Sequence, residues 1–101
     1  MKNNMKDKII NELIDLDLPL GNSFNYWVDL LFAIYEDKFD KTSMSDYYYY
    51  LAVKNNSTIS RIERILRYGT EKMKKRIREK YNIKTDITNQ SITILFKLKV
   101  F

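Results

Sequence analysis

The segment 57–80 concentrates the side chains that could do chemistry. It holds nine Lys or Arg and three acids. Its first half carries three hydroxyl side chains and three arginines, namely Ser57, Thr58, Ser60, Arg61, Arg64 and Arg67. An Arg guanidinium can donate to both acceptors of a guanine edge, and hydroxyls or backbone amides at a helix start can hold a phosphate. These residue types indicate contact with double-stranded DNA, with Arg61 and Arg64 as the first candidates.

The excess of positive charge lies in the C-terminal 40% of the chain. Residues 1–60 carry six bases and nine acids, residues 61–80 carry nine and three, and residues 81–101 carry three and one. Such asymmetry favours a polyanionic partner, either a nucleic acid or an anionic membrane. Two alternatives stay open: Arg61 and Arg64 could pair with Glu63 or with acids of the first helix, and the cluster 72–78 could be a solvated face or a row of phosphate contacts.

The composition excludes several kinds of site. The chain has no Cys and no His, so the usual zinc sites, disulfides, thiolate nucleophiles and His-based acids or bases are ruled out. A metal site could use only scattered acids such as Asp15, Asp17, Glu36, Asp37 and Asp40. We expect no enzymatic activity, no cofactor and no metal.

Helical periodicity covers the first eighty residues. Apolar positions and capping residues predict helices at about 6–16, 23–37, 44–54 and 58–80. Within 44–54, neighbouring Tyr side chains of "YYYY" point about 100° apart, which favours core packing over base stacking for most of them. Trp27 is likewise predicted in the core.

The fourth helix is amphipathic. Ile62, Leu66, Gly69, Met73 and Ile77 follow one another at steps of four or three residues, which places them on one face. This stripe is best explained as core. If it were exposed, the helix could instead lie on an anionic membrane or on another protein.

After Tyr81 the apolar period changes from 3.6 to 2. Ile92, Ile94, Phe96 and Leu98 fall on one side of this period and Thr93, Lys97 and Lys99 on the other, which predicts a β-hairpin at about 83–100. Its tip would present amides and hydroxyls to base edges or sugars, unless they are ordinary residues of an exposed turn. The predicted DNA contacts outside the fourth helix are therefore Asn89, Gln90 and Ser91 at this tip, with Lys41 before the third helix.

The order of these elements predicts one domain, residues 1–101, mainly α with a C-terminal β-hairpin. A winged helix-turn-helix domain has this arrangement: a short helix, a tight turn, a longer basic helix and a hairpin. In that fold the helix after the turn can enter the major groove, and the hairpin reaches the backbone or the minor groove.

Residues 42–76 resemble a known DNA-binding family. "NNSTISRIERILRYGTEKM" and the upstream "LPLGNSFNYWVDLLFAIYED" are similar to the effector domain of the sporulation master response regulator of Gram-positive bacteria. The resemblance implies that Ser60, Arg61 and Arg64 occupy recognition-helix positions. We expect two differences from that family: no receiver domain, and a hairpin where the family continues in helices.

Size, composition and the predicted wing also resemble the relaxosome accessory proteins of clostridial conjugative plasmids. We therefore expect a cytoplasmic, sequence-specific DNA-binding homodimer with no membrane-spanning segment. The protein would act with other relaxosome proteins in plasmid conjugation, or as a small transcription regulator. A module that binds another protein or an anionic membrane surface is the further alternative.

Overall fold

Five α-helices are present in the computed structural model, which describes residues 4–40 and 43–101. They are α1 Met5–Asp15, α2 Asn22–Tyr35, α3 Met44–Lys54, α4 Ile59–Tyr81 and α5 Asn89–Lys99. The first four begin and end within two residues of the predicted bounds. At 1.5 Å per residue α4 is about 33 Å long, close to the longest dimension of the molecule, 36 Å.

Side-chain caps explain why four of the helices begin where they do. The Asn4 side chain accepts from the Asp7 amide in α1, and the Thr58 hydroxyl accepts from the Arg61 amide in α4. In α3 the predicted Ser43–Asp46 spacing forms a capping box, in which each side chain accepts from the other residue's amide. Such caps satisfy amides that have no partner within the helix.

The core is built around α2, which contacts each of the other helices. Trp27 is fully buried, and its indole Nε1 donates to the backbone oxygen of Leu66 at 3.1 Å. The apolar stripe of α4 is buried along its whole length, as its spacing predicted. Gly69 lies where α4 passes closest to α2, since a Cβ there would meet Ser23 and Trp27.

The connection between α3 and α4 consists of four residues, 55–58. Asn56 adopts φ +52°, a left-handed conformation that Asn tolerates better than most residues. The Ser57 amide donates to the backbone oxygen of Ala52 at 2.8 Å, and α3 and α4 pack against each other. The turn and this packing determine which of the first residues of α4 face solvent.

The predicted hairpin is wrong, and with it the winged helix-turn-helix assignment. The described residues contain no β-strand, and most of the predicted hairpin is α5. Thr88 and Ser91, predicted near a hairpin tip, form a capping box: the Ser91 amide donates to Thr88 Oγ1, and the Thr88 amide donates to Ser91 Oγ at 2.9 Å. A helix start at this point leaves no turn for two strands to share.

The burial pattern of α5 shows why a helix forms despite alternating apolar residues. Asn89, Ile92, Thr93 and Phe96 are buried, at the i, i+3, i+4 and i+7 spacing of one helical face. Two of these four residues are polar, so the spacing is hidden when only apolar residues are counted. The first predicted strand is an irregular connection that buries Ile87.

Candidate nucleic-acid interface

The first turns of α4 present the residues predicted to contact DNA. Thr58, Ser60, Arg61 and Arg64 are all exposed. Ser57 differs from them, because its hydroxyl oxygen is buried with no hydrogen-bond partner among the described residues. In this arrangement the Ser57 hydroxyl is not available to a ligand at the surface, whereas its four neighbours are.

Four of the nine cations of the segment 57–80 are held by carboxylates. Arg67 lies 3.4 Å from Glu63, and Lys74 lies 2.8 Å from Glu71. The other two face α1: Arg76 lies 3.7 Å from Asp15, and Lys80 lies 2.9 Å from Glu12 and 2.5 Å from Asp15. These positive charges are therefore partly neutralised within the molecule.

The five remaining cations make no ion pair with a described residue. They are Arg61, Arg64, Lys72, Lys75 and Arg78. At 100° per residue they fall, together with Tyr68, in an arc of about 120° on the side of α4 opposite its buried face. We call these six residues the basic stripe. It extends about 25 Å along the helix, at 1.5 Å per residue.

The basic stripe contains an aromatic side chain and is not purely positive. Tyr68 is exposed, and the Lys72 amino group lies 5.3 Å from the centre of its ring. Glu71 and Glu79 also fall within the arc, and Glu71 is paired with Lys74. The five cations of the stripe and these two acids leave an excess of three positive charges within the arc, alongside one aromatic ring.

Arg61 and Arg64 form none of the ion pairs that were their alternative, and three of the acids concerned are paired with other residues. Glu63 pairs with Arg67, and the α1 acids Glu12 and Asp15 pair with residues near the end of α4. The geometry thus leaves both guanidinium groups able to bind an external acceptor.

The residues predicted at the hairpin tip lie elsewhere and do different things. Asn89 is 6% exposed, and its side-chain groups are used internally. Ser91 is half-buried and caps α5, while Gln90 is exposed. Gln90 borders a cavity of about 300 Å³ with Arg67 and Lys74, on a different flank of α4 from the basic stripe. Lys41 lies outside the described residues.

Sequence reasoning missed a buried polar cluster centred on Asn89. The Thr70 hydroxyl donates to Asn89 Oδ1 at 2.6 Å, and Asn89 Nδ2 donates to the Tyr48 hydroxyl at 3.1 Å and to the backbone oxygen of Glu63 at 3.3 Å. Burial raises the pKa of Tyr48, and the bond from Asn89 opposes that rise. The Thr88–Ser91 capping spacing was the available signal that Asn89 begins a helix.

The structure also bears on the tyrosine run, on metal binding and on membrane spanning. In the run of four tyrosines Tyr47 is buried and Tyr49 is exposed. Among residues 4–40 and 43–101, no three Asp or Glu side chains are arranged to hold a metal ion. No helix in these ranges combines the length and apolar character needed to cross a bilayer.

Comparison with protein-family models, curated proteins and solved structures found no significant match to this chain.

Proposed function

We propose that this protein binds double-stranded DNA in a sequence-specific manner through the exposed face of α4. The observation that carries the proposal is the basic stripe, whose five cations make no ion pair with a described residue. An α-helix fits the major groove, and Arg is the most common specific reader of guanine. Arg61 and Arg64 would read bases, while Lys72, Lys75 and Arg78 would contact phosphates.

After α4 the chain continues in the helix α5, and its described residues contain no hairpin. Without a wing, base readout in the proposal rests on α4 alone. A role on bacterial DNA implies a cytoplasmic location, which is part of the same proposal.

The buried stripe of α4 weakens the alternative of a membrane-surface helix. Ile62, Leu66 and Met73 have no exposed surface, and Ile77 has almost none. An interfacial helix inserts its apolar face among lipid chains. Here that face already packs in the core, so insertion would require the domain to unfold.

Binding-site selection from fragmented source DNA, followed by titration of variants, tests the proposal. Arg61→Ala and Arg64→Ala should each cost about 1–3 kcal/mol of binding free energy and relax the preference at one position of the site. Arg76→Ala is the matched control, because Arg76 is paired with Asp15 at 3.7 Å and lies off the stripe. Equal losses in all three variants, or no selected sequence, would contradict specific readout by α4.

The salt dependence of binding tests the phosphate contacts separately. Removing one phosphate contact should reduce the slope of log K against log [salt] by about 0.9. Lys75→Ala is expected to do so, whereas Lys74→Ala should change the slope less, because Lys74 is held by Glu71 at 2.8 Å.

The genomic position of the selected site, beside a transfer origin or in promoters, then distinguishes conjugation from transcription regulation.

A further inference from the structure

An apolar groove runs along the solvent side of α5. It has a volume of about 350 Å³, and its apolar lining consists of Tyr81, Ile83, Ile94, Leu95 and Leu98. Leu98 is 75% exposed and Ile94 is 46% exposed. Single exposed apolar residues are ordinary, but a contiguous group of them marks an interaction surface.

The groove carries opposite charges at its two ends. Asp86 borders it just before α5 begins, and Lys99 borders it at the last residue of α5. Asp86 lies 3.8 Å from Lys74, yet its side chain stays 79% exposed and can face a second cation. Lys99 makes no ion pair with a described residue. The nearby Glu12 and Asp15, which share a cavity with Lys99, are engaged by Lys80.

We infer that the partner of this groove is a second copy of the same chain, with the two α5 helices antiparallel. A two-fold axis through the groove places Asp86 opposite Lys99 of the partner subunit, and this pairing occurs twice. The exposed Leu98 and Ile94 then cover the apolar floor of the partner's groove. A surface that is acidic at one end and basic at the other complements itself only in this orientation.

The expected dimer is weak. Stable protein complexes bury about 800 Å² on each partner, and here each subunit offers one eleven-residue helix and its flanking connection. The dimer should therefore dissociate on dilution. The inference is independent of DNA binding, because the basic stripe lies on α4 and the groove residues are separate from it.

Sedimentation equilibrium of the purified protein without DNA, from micromolar to millimolar concentration, tests the apolar contact. Wild type should show a monomer–dimer equilibrium, and Leu98→Gln should shift it at least tenfold towards monomer. Leu20→Gln is the matched control, because Leu20 is 78% exposed and lies far from α5 in the chain; this variant should behave as wild type. A wild type that is monomeric throughout, or equal effects of both substitutions, would overturn the inference.

Charge reversal tests the orientation. Asp86→Lys and Lys99→Asp each place like charges opposite one another in a homodimer, so each variant alone should be largely monomeric. An equimolar mixture should regain the dimer, because the two substituted side chains then face each other with opposite charges, and the two unsubstituted ones also form an opposite-charge pair. Circular dichroism should show that both variants stay folded. A mixture that remains monomeric would exclude the antiparallel pairing, and so would single variants that dimerise as wild type does.

Discussion

The Asn89 side chain joins three helices from a single buried position. Its amide bonds to Thr70 of α4, to Tyr48 of α3 and to the backbone of Glu63, while its own backbone opens α5. Removing one partner of a buried hydrogen bond leaves the other polar groups unsatisfied, which costs about 1–3 kcal/mol of stability.

Asn89→Ala should therefore lower the free energy of unfolding by about 1–3 kcal/mol, measured by urea denaturation. Gln90→Ala is the control: Gln90 is the exposed neighbour, and its substitution should stay within about 0.5 kcal/mol of wild type. In a hairpin tip both substitutions would be surface changes of similar, small effect. Equal effects of the two substitutions would therefore contradict the burial of Asn89 in α5.

Gly69 is required by the close approach of α2 to α4. A Cβ at this position would lie too close to the Ser23 hydroxyl, 2.9 Å from Leu18 Cδ1 and 3.0 Å from Trp27 Nε1. Overpacking costs about 1–3 kcal/mol, which exceeds the roughly 1 kcal/mol that Ala gains over Gly in a helix. Gly69→Ala should therefore destabilise the protein in a denaturation experiment.

Ser23→Ala tests whether the Ser23 hydroxyl causes the loss of stability expected in Gly69→Ala. The Ser23 hydroxyl is buried with no partner among the described residues, so its removal alone should change stability by less than about 1 kcal/mol. Combined with Gly69→Ala, it removes the nearest obstacle and should recover part of the loss. Strictly additive effects would mean that the hydroxyl is not what a Cβ at position 69 meets.

At the level of elements, the spacing of apolar residues predicts α1 to α4 and fails for α5. The first four helices have apolar residues at helical spacing, and three of them, α1, α3 and α4, have side-chain caps such as Ser43 with Asp46. In α5, Ile92, Ile94, Phe96 and Leu98 fit a strand period. The helical face is completed by buried Asn89 and Thr93. Asn89 is satisfied by tertiary hydrogen bonds, whereas the Thr93 hydroxyl donates to the backbone oxygen of Gln90 in its own helix.

Only part of the candidate site could likewise be predicted from the sequence. The cations of α4 are visible in the sequence, but their pairing is not, because it depends on where α1 packs. Lys80 binds Glu12 and Asp15, which lie 68 and 65 residues away along the chain. Only the folded arrangement shows that Arg76 and Lys80 are engaged while Lys72 and Lys75 make no ion pair with a described residue.

The contact between α1 and α4 should respond to pH through Asp15. The hydrogen bond and charge of Lys80 lower the pKa of Asp15, and the carboxylates of Asp15 and Glu12 raise the pKa of Lys80. A folded-state pKa below the unfolded value means that ionised Asp15 stabilises the fold above its unfolded pKa. This stabilisation is lost as pH falls through the lowered folded pKa.

Lys80→Met should therefore raise the pKa of Asp15 and reduce the loss of stability on the acid side. An NMR titration of the Asp15 carboxyl carbon and urea denaturation at several acidic pH values measure the two effects. Lys72→Met is the control, since Lys72 contacts Tyr68 and makes no ion pair with a described residue; it should leave the Asp15 pKa unchanged. An Asp15 pKa that does not move in Lys80→Met would assign its depression to another group.

In the whole molecule, folding brings the acidic N-terminal part of the chain against one side of the basic helix α4, so that the sides of α4 differ in charge. The N-terminal sixty residues are net acidic, and the rest is strongly basic. The acids of α1 neutralise one flank of α4, and the basic stripe on the exposed side keeps its charge. A charged face next to a neutralised flank orients the approach of a polyanion.

If the proposed function holds, a bound duplex should stabilise the entire fold, because α4 supplies both the buried apolar stripe and the basic stripe. A ligand that binds only the native state adds about 2.7 kcal/mol at a hundred times its Kd. Thermal unfolding followed by the fluorescence of the buried Trp27 should show a higher Tm with the selected duplex. The increase should shrink as salt rises, and it should be smaller in Arg64→Ala than in Arg76→Ala. If a scrambled duplex of the same length raises Tm equally, the contact is with phosphates alone and α4 does not read sequence.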